Sequence, residues 1–370
     1  MRVTIERSAF LKALTHVQSV VERRNTIPIL SNVLLQAGEG EVRLTATDLD
    51  IEIIESTPAD VAKAGATTVP AHMLHDIVRK LPDGAQLEIE QGPDSGRVSV
   101  FAGRSRFALQ ALPPDDFPDL NAGDLPHRFA LAAGDLKGLI EKTRFAISTE
   151  ETRYYLNGIY LHEVPAQKLL RAVATDGHRL AQSQVARPKG AEGMPGIIVP
   201  RKTVLELVRL VEGEDGEIEV ALSASKIRFS WGALVLTSKL IDGTFPDYDR
   251  VIPRHNDKVL EVDTAIFASA VDRVSTISSE KGRAVKLNIS SGKLVLSVNN
   301  PDSGSAEEEI AATYDSEPLD IGFNSKYLLD IAGQIKSDQA TFQLADAGSP
   351  TIIRDPGDDQ ALYVLMPMRV

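Results

Sequence analysis

The chain of 370 residues contains no cysteine, which excludes disulfides and thiolate metal sites. No apolar run approaches the ~20 residues that a membrane-spanning helix needs. The opening MRVTIERSAF lacks the apolar core of a secretory signal. Phosphate-binding loops of the GxxxxGK[ST] and GxGxxG types are missing, as are HExxH and the EF-hand loop. His16, His72, His75, His127, His162, His178 and His255 form no zinc pattern. These absences predict a cytoplasmic protein with no metal, no cofactor and no membrane partner. The length predicts two or three domains, and 43% apolar with 25% charged residues is ordinary for a globular chain. A net charge of −12 argues against nucleic acid only at first sight, because it does not say where the charges stand.

What the chain does have is a long internal repeat. Three segments share one order of features. Each opens with an amphipathic helix: SAFLKALTHVQSVVERR from Ser8, DLKGLIEKTRFAI from Asp135 and AIFASAVDRVSTI from Ala265. Alternating apolar and polar residues then predict strands, in ILSNVLLQA and EVRLTATD, YYLNGIYLHEV and LLRAVATD, VKLNIS and KLVLSVNN. These end in short polar pairs suited to a turn, Thr47-Asp48, Thr175-Asp176 and Asn299-Asn300. A second helix follows from Val69, Val199 and Phe323, with Val-Pro in the first two copies placing proline in the first turn, where its missing N–H is harmless. Further strand pairs close each copy, and Phe117-Pro118-Asp119 and Phe245-Pro246-Asp247 end the first two. The pattern predicts three α+β domains, 1–125, 126–255 and 256–370, each with two helices on one face of antiparallel strands.

Charge divides along the same lines. The six helical segments 8–24, 69–82, 134–146, 199–212, 264–283 and 323–337 are each net positive and together carry +7, which leaves −19 elsewhere. Basic helices beside acidic sheets predict one layer facing a polyanion and another facing solvent. A helix's polar face is also charged for reasons of propensity alone. Asp176-Gly177-His178-Arg179 can be read as a catalytic His/Asp pair, although neighbours at a strand end rarely face each other as base and orienter. A turn or the wall of a binding site is the other reading.

RNTIPILSN (24–32), AGRSRF (102–107), RYYLNG (153–158), VATDGHRLA (173–181), VPRK (199–202), TSKLIDGTFPDY (237–248) and YVLMPMRV (363–370) together resemble the bacterial DNA polymerase III beta subunit, over the full length and in order. The resemblance implies three similar domains per chain and a head-to-tail dimer forming a six-domain ring, with helices lining the hole and sheets outside. It implies no catalysis. A closed ring holds double-stranded DNA topologically, so weak, sequence-independent phosphate contacts suffice and permit sliding. The implied partners are DNA, a second copy of the chain, the replicative polymerase's catalytic subunit, the clamp loader, and other polymerases and repair proteins that dock through short linear peptides.

Residues carry over from the resemblance one by one. Arg24, Tyr154, Tyr155, Arg201 and Lys202 match positions near DNA, while His72 and Glu150 stand where a relative has arginine and glutamine. A neutral histidine and a carboxylate there weaken the expected phosphate contacts. The implied peptide pocket, between the second and third domains, comprises Leu156, Thr175, Gly177, His178, Arg179, Leu180, Pro246, Arg250, Val251, Asn324, Tyr327, Val364, Met366, Pro367, Met368 and Arg369. Leu180 and Val251 are expected on its floor and Met366 as a wall, with methionine adapting to varied partners. Gly348 and Pro350 depart from the relative's Val and Ser. The implied dimer interface joins Arg104, Arg106, Phe107 and Leu109 to Ile277 and Glu308 of a second copy, with Arg104 paired to Glu308. Met73, Gly304 and Ser305 thin its ion pairs. Two other classes stay open on the residues alone: a hydrolase using Asp176 and His178, and a repeat-built scaffold that never touches DNA.

Overall fold

A computed structural model describes residues 1–92, 96–278 and 283–369. Six helices stand where the repeat predicts them: α1 (Arg7–Val17), α2 (Ala71–Lys80), α3 (Ala133–Glu141), α4 (Arg201–Leu210), α5 (Thr264–Ser275) and α6 (Ser325–Ala332). Three begin on a polar side chain that accepts an otherwise unpaired N–H. Glu6 takes Ala9 N at 2.9 Å, Asp263 takes Ile266 N at 2.8 Å, and Asn324 takes Lys326 N at 3.0 Å. The apolar stripe is buried in each case, as with Phe10, Ala13, Leu14 and Val17 of α1 and Phe267, Ala270, Val271 and Val274 of α5.

Several boundaries differ from expectation. The first helix ends at Val17, not Arg24, and a 3-10 turn Gln18–Val20 follows. Val21 is already in extended backbone, and Pro28 keeps Ile27 extended further on. Pro70 and Pro200 do not open helices. Each is the last residue of a strand (Gly65–Pro70, Ile197–Pro200), and the helix begins one residue later. Tyr154 and Tyr155 lie in a 3-10 turn, Glu151–Leu156, and the strand starts only at Gly158. There a Cβ would meet the Val199 carbonyl at 2.2 Å, so glycine permits the close pairing. Because the helices are short, the positive surplus lies on α1, α2 and α4 alone; α3 carries excess acid and α5 and α6 are neutral. Arg23, Arg24, Lys142 and Arg144 stand on the segments that follow helices, and Glu280 and Lys281 lie outside the described residues.

The chain forms two compact units: residues 1–134, 188–195 and 205–240, and residues 135–187, 196–204 and 241–370. The middle repeat contributes to both. In the first unit, an eight-stranded antiparallel sheet joins strands of repeats one and two, because Leu234–Lys239 pairs with Ile51–Pro58 (Leu236 opposite Ile53). A five-stranded sheet ends on Ser105–Gln110. In the second unit, a nine-stranded sheet joins repeats two and three where Arg179–Ala186 pairs with Ala361–Leu365, and a four-stranded sheet ends on Gly304–Ala311. The core of each unit lies between its helices and these sheets. The Phe267 and Phe342 rings of the second unit meet edge to face at 5.2 Å.

Candidate functional site

The turn after Thr175 is built by its own side chains. Asp176 Oδ1 accepts from the N–H groups of His178 and Arg179 at 2.9 and 3.1 Å. Thr175 Oγ1 donates to the Arg179 carbonyl at 2.7 Å and accepts from Gly177 N at 3.1 Å. Gly177 has φ +89°, and a Cβ there would stand 2.5 Å from Arg153 Nη1. Asp48 and Asn300 make the same kind of turn in the other repeats, as the polar pairs predict. The catalytic reading of Asp176 and His178 is overturned here. The Asp176 carboxylate bonds His178's backbone and Arg179's guanidinium, and the exposed His178 ring has no carboxylate partner among the described residues.

Beside this turn, in the second unit, opens a cavity of about 300 Å³. Its walls are apolar and deeply buried. Leu156, Leu180 and Val364 are 4%, 3% and 2% exposed, and Leu180 and Val364 oppose each other on paired strands. Pro246 and Thr175 also line it. Val251 and Met366 are 49% and 39% exposed, which places both at the mouth; Val251 is therefore rim, not floor. It stands on the short 3-10 turn Tyr248–Val251. Tyr248, Tyr155, Arg153 and Asp247 line the cavity as well, and reading the sequence assigned none of them to it. The tripeptides RYY and PDY contain them, but nothing in a linear pattern says which way a loop residue turns.

Arg179 is 7% exposed and fully engaged. Its guanidinium donates to Asp176 Oδ2 at 3.1 Å, to Asp330 Oδ2 at 2.5 Å and to the Phe145 carbonyl at 2.6 Å. It also lies over the Phe145 and Tyr327 rings, 5.2 and 4.2 Å from their centroids. Burial, and then Asp176, push the Tyr327 phenol above its ordinary range. Arg179 and Tyr327 thus fasten strand to helix α6 beside the cavity. Asn324 is committed to capping α6. His178, Arg250, Asn324, Tyr327, Pro367, Met368 and Arg369 do not line the cavity itself. Arg250 is exposed and pairs with Asp247 at 2.7 Å. Met368 N donates to Gly322 O at 2.8 Å and Met366 N to His178 O at 2.9 Å, so the segment past Leu365 is anchored without being strand. Proline at 367 removes one donor from it. Gly348 and Pro350 lie in a loop held by Asp346 and Asn256 and are not among the lining residues.

The residues matched to DNA positions fall in both units. Arg24 is exposed in the segment after α1. His72 donates from Nε2 to the Val21 carbonyl at 2.8 Å, which ties down the start of that segment. Glu150 accepts from Arg153 Nε at 2.7 Å, and that bond holds its carboxyl below the usual range and offsets its charge. Tyr154 is exposed, and its ring meets the half-buried Tyr155 ring edge to face at 5.8 Å. Arg201 N donates to Asn157 O at 2.9 Å, so the start of α4, with Arg201 exposed and Lys202 half-buried, is joined to the tyrosine turn.

Two residues of the interface set are already engaged within the single chain. Leu109 is 4% exposed within the single chain, where it packs opposite Val98, so its side chain is core. Glu308 is taken by Arg273 of the same chain at 2.5 and 3.0 Å, which holds its carboxyl low and leaves it engaged without Arg104. Phe107 and Ile277 are half-buried, and Arg104 and Arg106 are exposed. Phe107 borders a second cavity with Met73 and Ile77 of α2.

Three family models cover almost the whole chain. The N-terminal, central and C-terminal domains of the DNA polymerase III beta subunit match residues 1–121, 130–247 and 249–369. The beta sliding clamp of Caulobacter vibrioides is 55% identical over 372 residues, and that of Escherichia coli K12 is 41% identical over 373, each covering all of both chains. A solved sliding clamp from Bartonella birtlesii bound to griselimycin superposes with a TM-score of 0.97 at 59% identity over all of both chains. One from Caulobacter crescentus, with polyethylene glycol at a putative beta-motif tethering region, gives 0.97 at 55% over 100% of this chain and 99% of that one. With one match to each of its three repeats and relatives aligned end to end, the chain belongs to the DNA polymerase III beta subunit family, the beta sliding clamps.

Proposed function

We propose that two copies of this chain close head to tail into a six-domain ring that encircles duplex DNA, and that the cavity beside Thr175 receives short peptides of the polymerase, clamp loader and repair proteins. The three clamp domains are read as residues 1–125, 126–255 and 256–370. The observation that carries closure is a pair of sheet edges, each without a second strand partner among the described residues. Ser105–Gln110 ends one sheet with Arg104 and Arg106 exposed, and Gly304–Ala311 ends another with Glu307 exposed, while Glu308 and Glu309 are paired with Arg273 and Lys293. Free N–H and C=O groups on such edges favour pairing with another strand. Phe107 and Ile277 add apolar contact. Arg24, Tyr154, Tyr155, Arg201 and Lys202 are the groups proposed to touch phosphate.

Such a ring acts without catalysis and in the cytoplasm, where the chromosome is. Its hold on DNA is topological. The purified protein, loaded on nicked circular DNA by a clamp loader, should remain bound through gel filtration and be released when the circle is linearised. Release from intact circles would instead favour a scaffold that never encircles DNA.

A further inference from the structure

Tyr248 lines the cavity yet is only 8% exposed, and its hydroxyl meets the buried Arg171 and the half-buried His162. Arg171 Nη1 lies 3.1 Å from it and His162 Nε2 2.9 Å. Arg171 and His162 are directly opposite on paired strands, Leu169–Thr175 and Gly158–Val164. The bonding directions are fixed by chemistry. His162 Nδ1 lies 2.9 Å from the Glu163 carbonyl, which only accepts, so Nδ1 carries the proton and Nε2 is the acceptor. The phenol therefore accepts from Arg171 and donates to His162.

Arg171 is 8% exposed and has no carboxylate partner among the described residues. Its other bonds go to Gln184 Oε1 (3.0 and 2.8 Å) and Gln167 Oε1 (3.1 Å), both neutral. A buried cation without a counter-anion costs stability, so stability alone gives no reason for a guanidinium there. The residues around it form one ordered stack. The Phe245 ring lies on Tyr160 at 4.8 Å and 6°, and Tyr160 lies on His162 at 4.6 Å and 23°. A Cβ at Gly196 would strike the Tyr160 hydroxyl at 2.3 Å. The segment from Phe245 to Val251 is thus docked at both aromatic residues, and Val251 at its end forms the cavity mouth.

We propose that Arg171 and His162 are positioning residues for the peptide pocket: through the Tyr248 hydroxyl they fix the ring that lines the cavity and the turn that carries Val251 to its mouth. The proposal rests on reading the cavity as a peptide pocket. It also makes the pocket sensitive to acid. Protonated His162 turns Nε2 into a donor, so the phenol then faces two donors, both cationic, and has no acceptor. Other charges near the pair are engaged: Glu163 with Arg187, Asp247 with Arg250 and Asp249 with Arg254. Burial, opposed in part by the bond to the Glu163 carbonyl and aided by Arg171, depresses the His162 pKa, so the neutral form holds at pH 7 and the acceptor fails only as pH falls beneath the ordinary histidine range.

A fluorescein-labelled peptide with one glutamine and a Leu–Phe anchor pair, titrated with the full chain by fluorescence polarisation from about pH 7.5 to about pH 5, tests this. At neutral pH, Tyr248→Phe, which removes both bonds of the phenol, and Arg171→Met, which removes one of them, should each weaken binding about threefold to tenfold. The melting temperature of Arg171→Met should stay level or rise, which a merely structural arginine would not permit. His162→Gln keeps an acceptor but cannot ionise; it should bind as the parent does at neutral pH and lose the part of the acid weakening that the parent shows. This mild variant decides the matter if Arg171→Met does not fold. Peptide binding that responds to Met366→Ala but not to these three substitutions, in affinity or pH profile, overturns the proposal. A peptide that fails to bind the parent chain overturns the pocket reading itself.

Discussion

Arg179 and Asp330 belong to different repeats, yet Nη1 of the one lies 2.5 Å from Oδ2 of the other, on a strand and on helix α6 respectively. Together with the pairing of Arg179–Ala186 and Ala361–Leu365, this bond fastens the second repeat to the third. Asp330→Ala leaves a guanidinium that is 7% exposed with one carboxylate fewer. It should cost about 1–3 kcal/mol, the usual consequence of a charged hydrogen bond removed from a buried partner. Urea denaturation would measure it, and an unchanged midpoint would mean that Asp176 and the Phe145 carbonyl suffice.

Met366 stands at the cavity mouth, 39% exposed and free to contact a ligand. A short peptide pays to become ordered, so a Kd on the order of micromolar, about −8 kcal/mol, is expected. Met366→Ala should weaken it by roughly 1–3 kcal/mol. Isothermal titration of a folded, dimeric variant decides this, and undiminished affinity would move the docking site elsewhere.

Ring closure is best tested at Phe107 and Ile277. The pair Phe107→Ala and Ile277→Ala should shift sedimentation toward monomer with little effect on each chain's own stability. Leu109→Ala should do the reverse: it empties a core position and costs about 2–5 kcal/mol of folding free energy. Persistent dimer in the double variant at nanomolar concentration would reject these contacts.

For DNA, Arg24→Ala should reduce the log–log salt slope by roughly one phosphate's worth, about 0.9, and lower affinity evenly across sequences. A changed sequence preference would instead imply base readout.

Glu52 gives a pH signature. It is 5% exposed on the strand that joins repeats one and two, and burial raises its pKa against a single backbone bond from Leu120 N at 3.3 Å. The folded state then binds the proton more tightly than the unfolded chain. Stability is therefore lost as pH rises from the ordinary carboxylate range through the raised value, and is restored as pH falls back. Glu52→Gln should melt higher than the parent at neutral pH, and the difference should vanish in acid. A difference independent of pH would mean that Glu52 is not the titrating group.

Much of this molecule is written locally. Helical spacing in SAFLKALTHV and AIFASAVDRV, the caps at Asp263 and Asn324, and the turns at Asp48, Asp176 and Asn300 each depend on a few adjacent residues. The sequence alone therefore determined the threefold repeat, its α+β class and, through motifs spread over the full length, its family. Tertiary structure decided what depends on residues far apart. It ended α1 at Val17, turned Tyr154 and Tyr155 out of a strand, and buried Leu109 in its own chain. It also joined Leu180 to Val364, 184 positions away, and set Tyr248 between Arg171 and His162. Periodicity reports which face of an element is apolar, but not which distant surface will cover it. Hydrogen bonds such as that of His72 to Val21 exist only once packing has brought donor and acceptor within 3 Å.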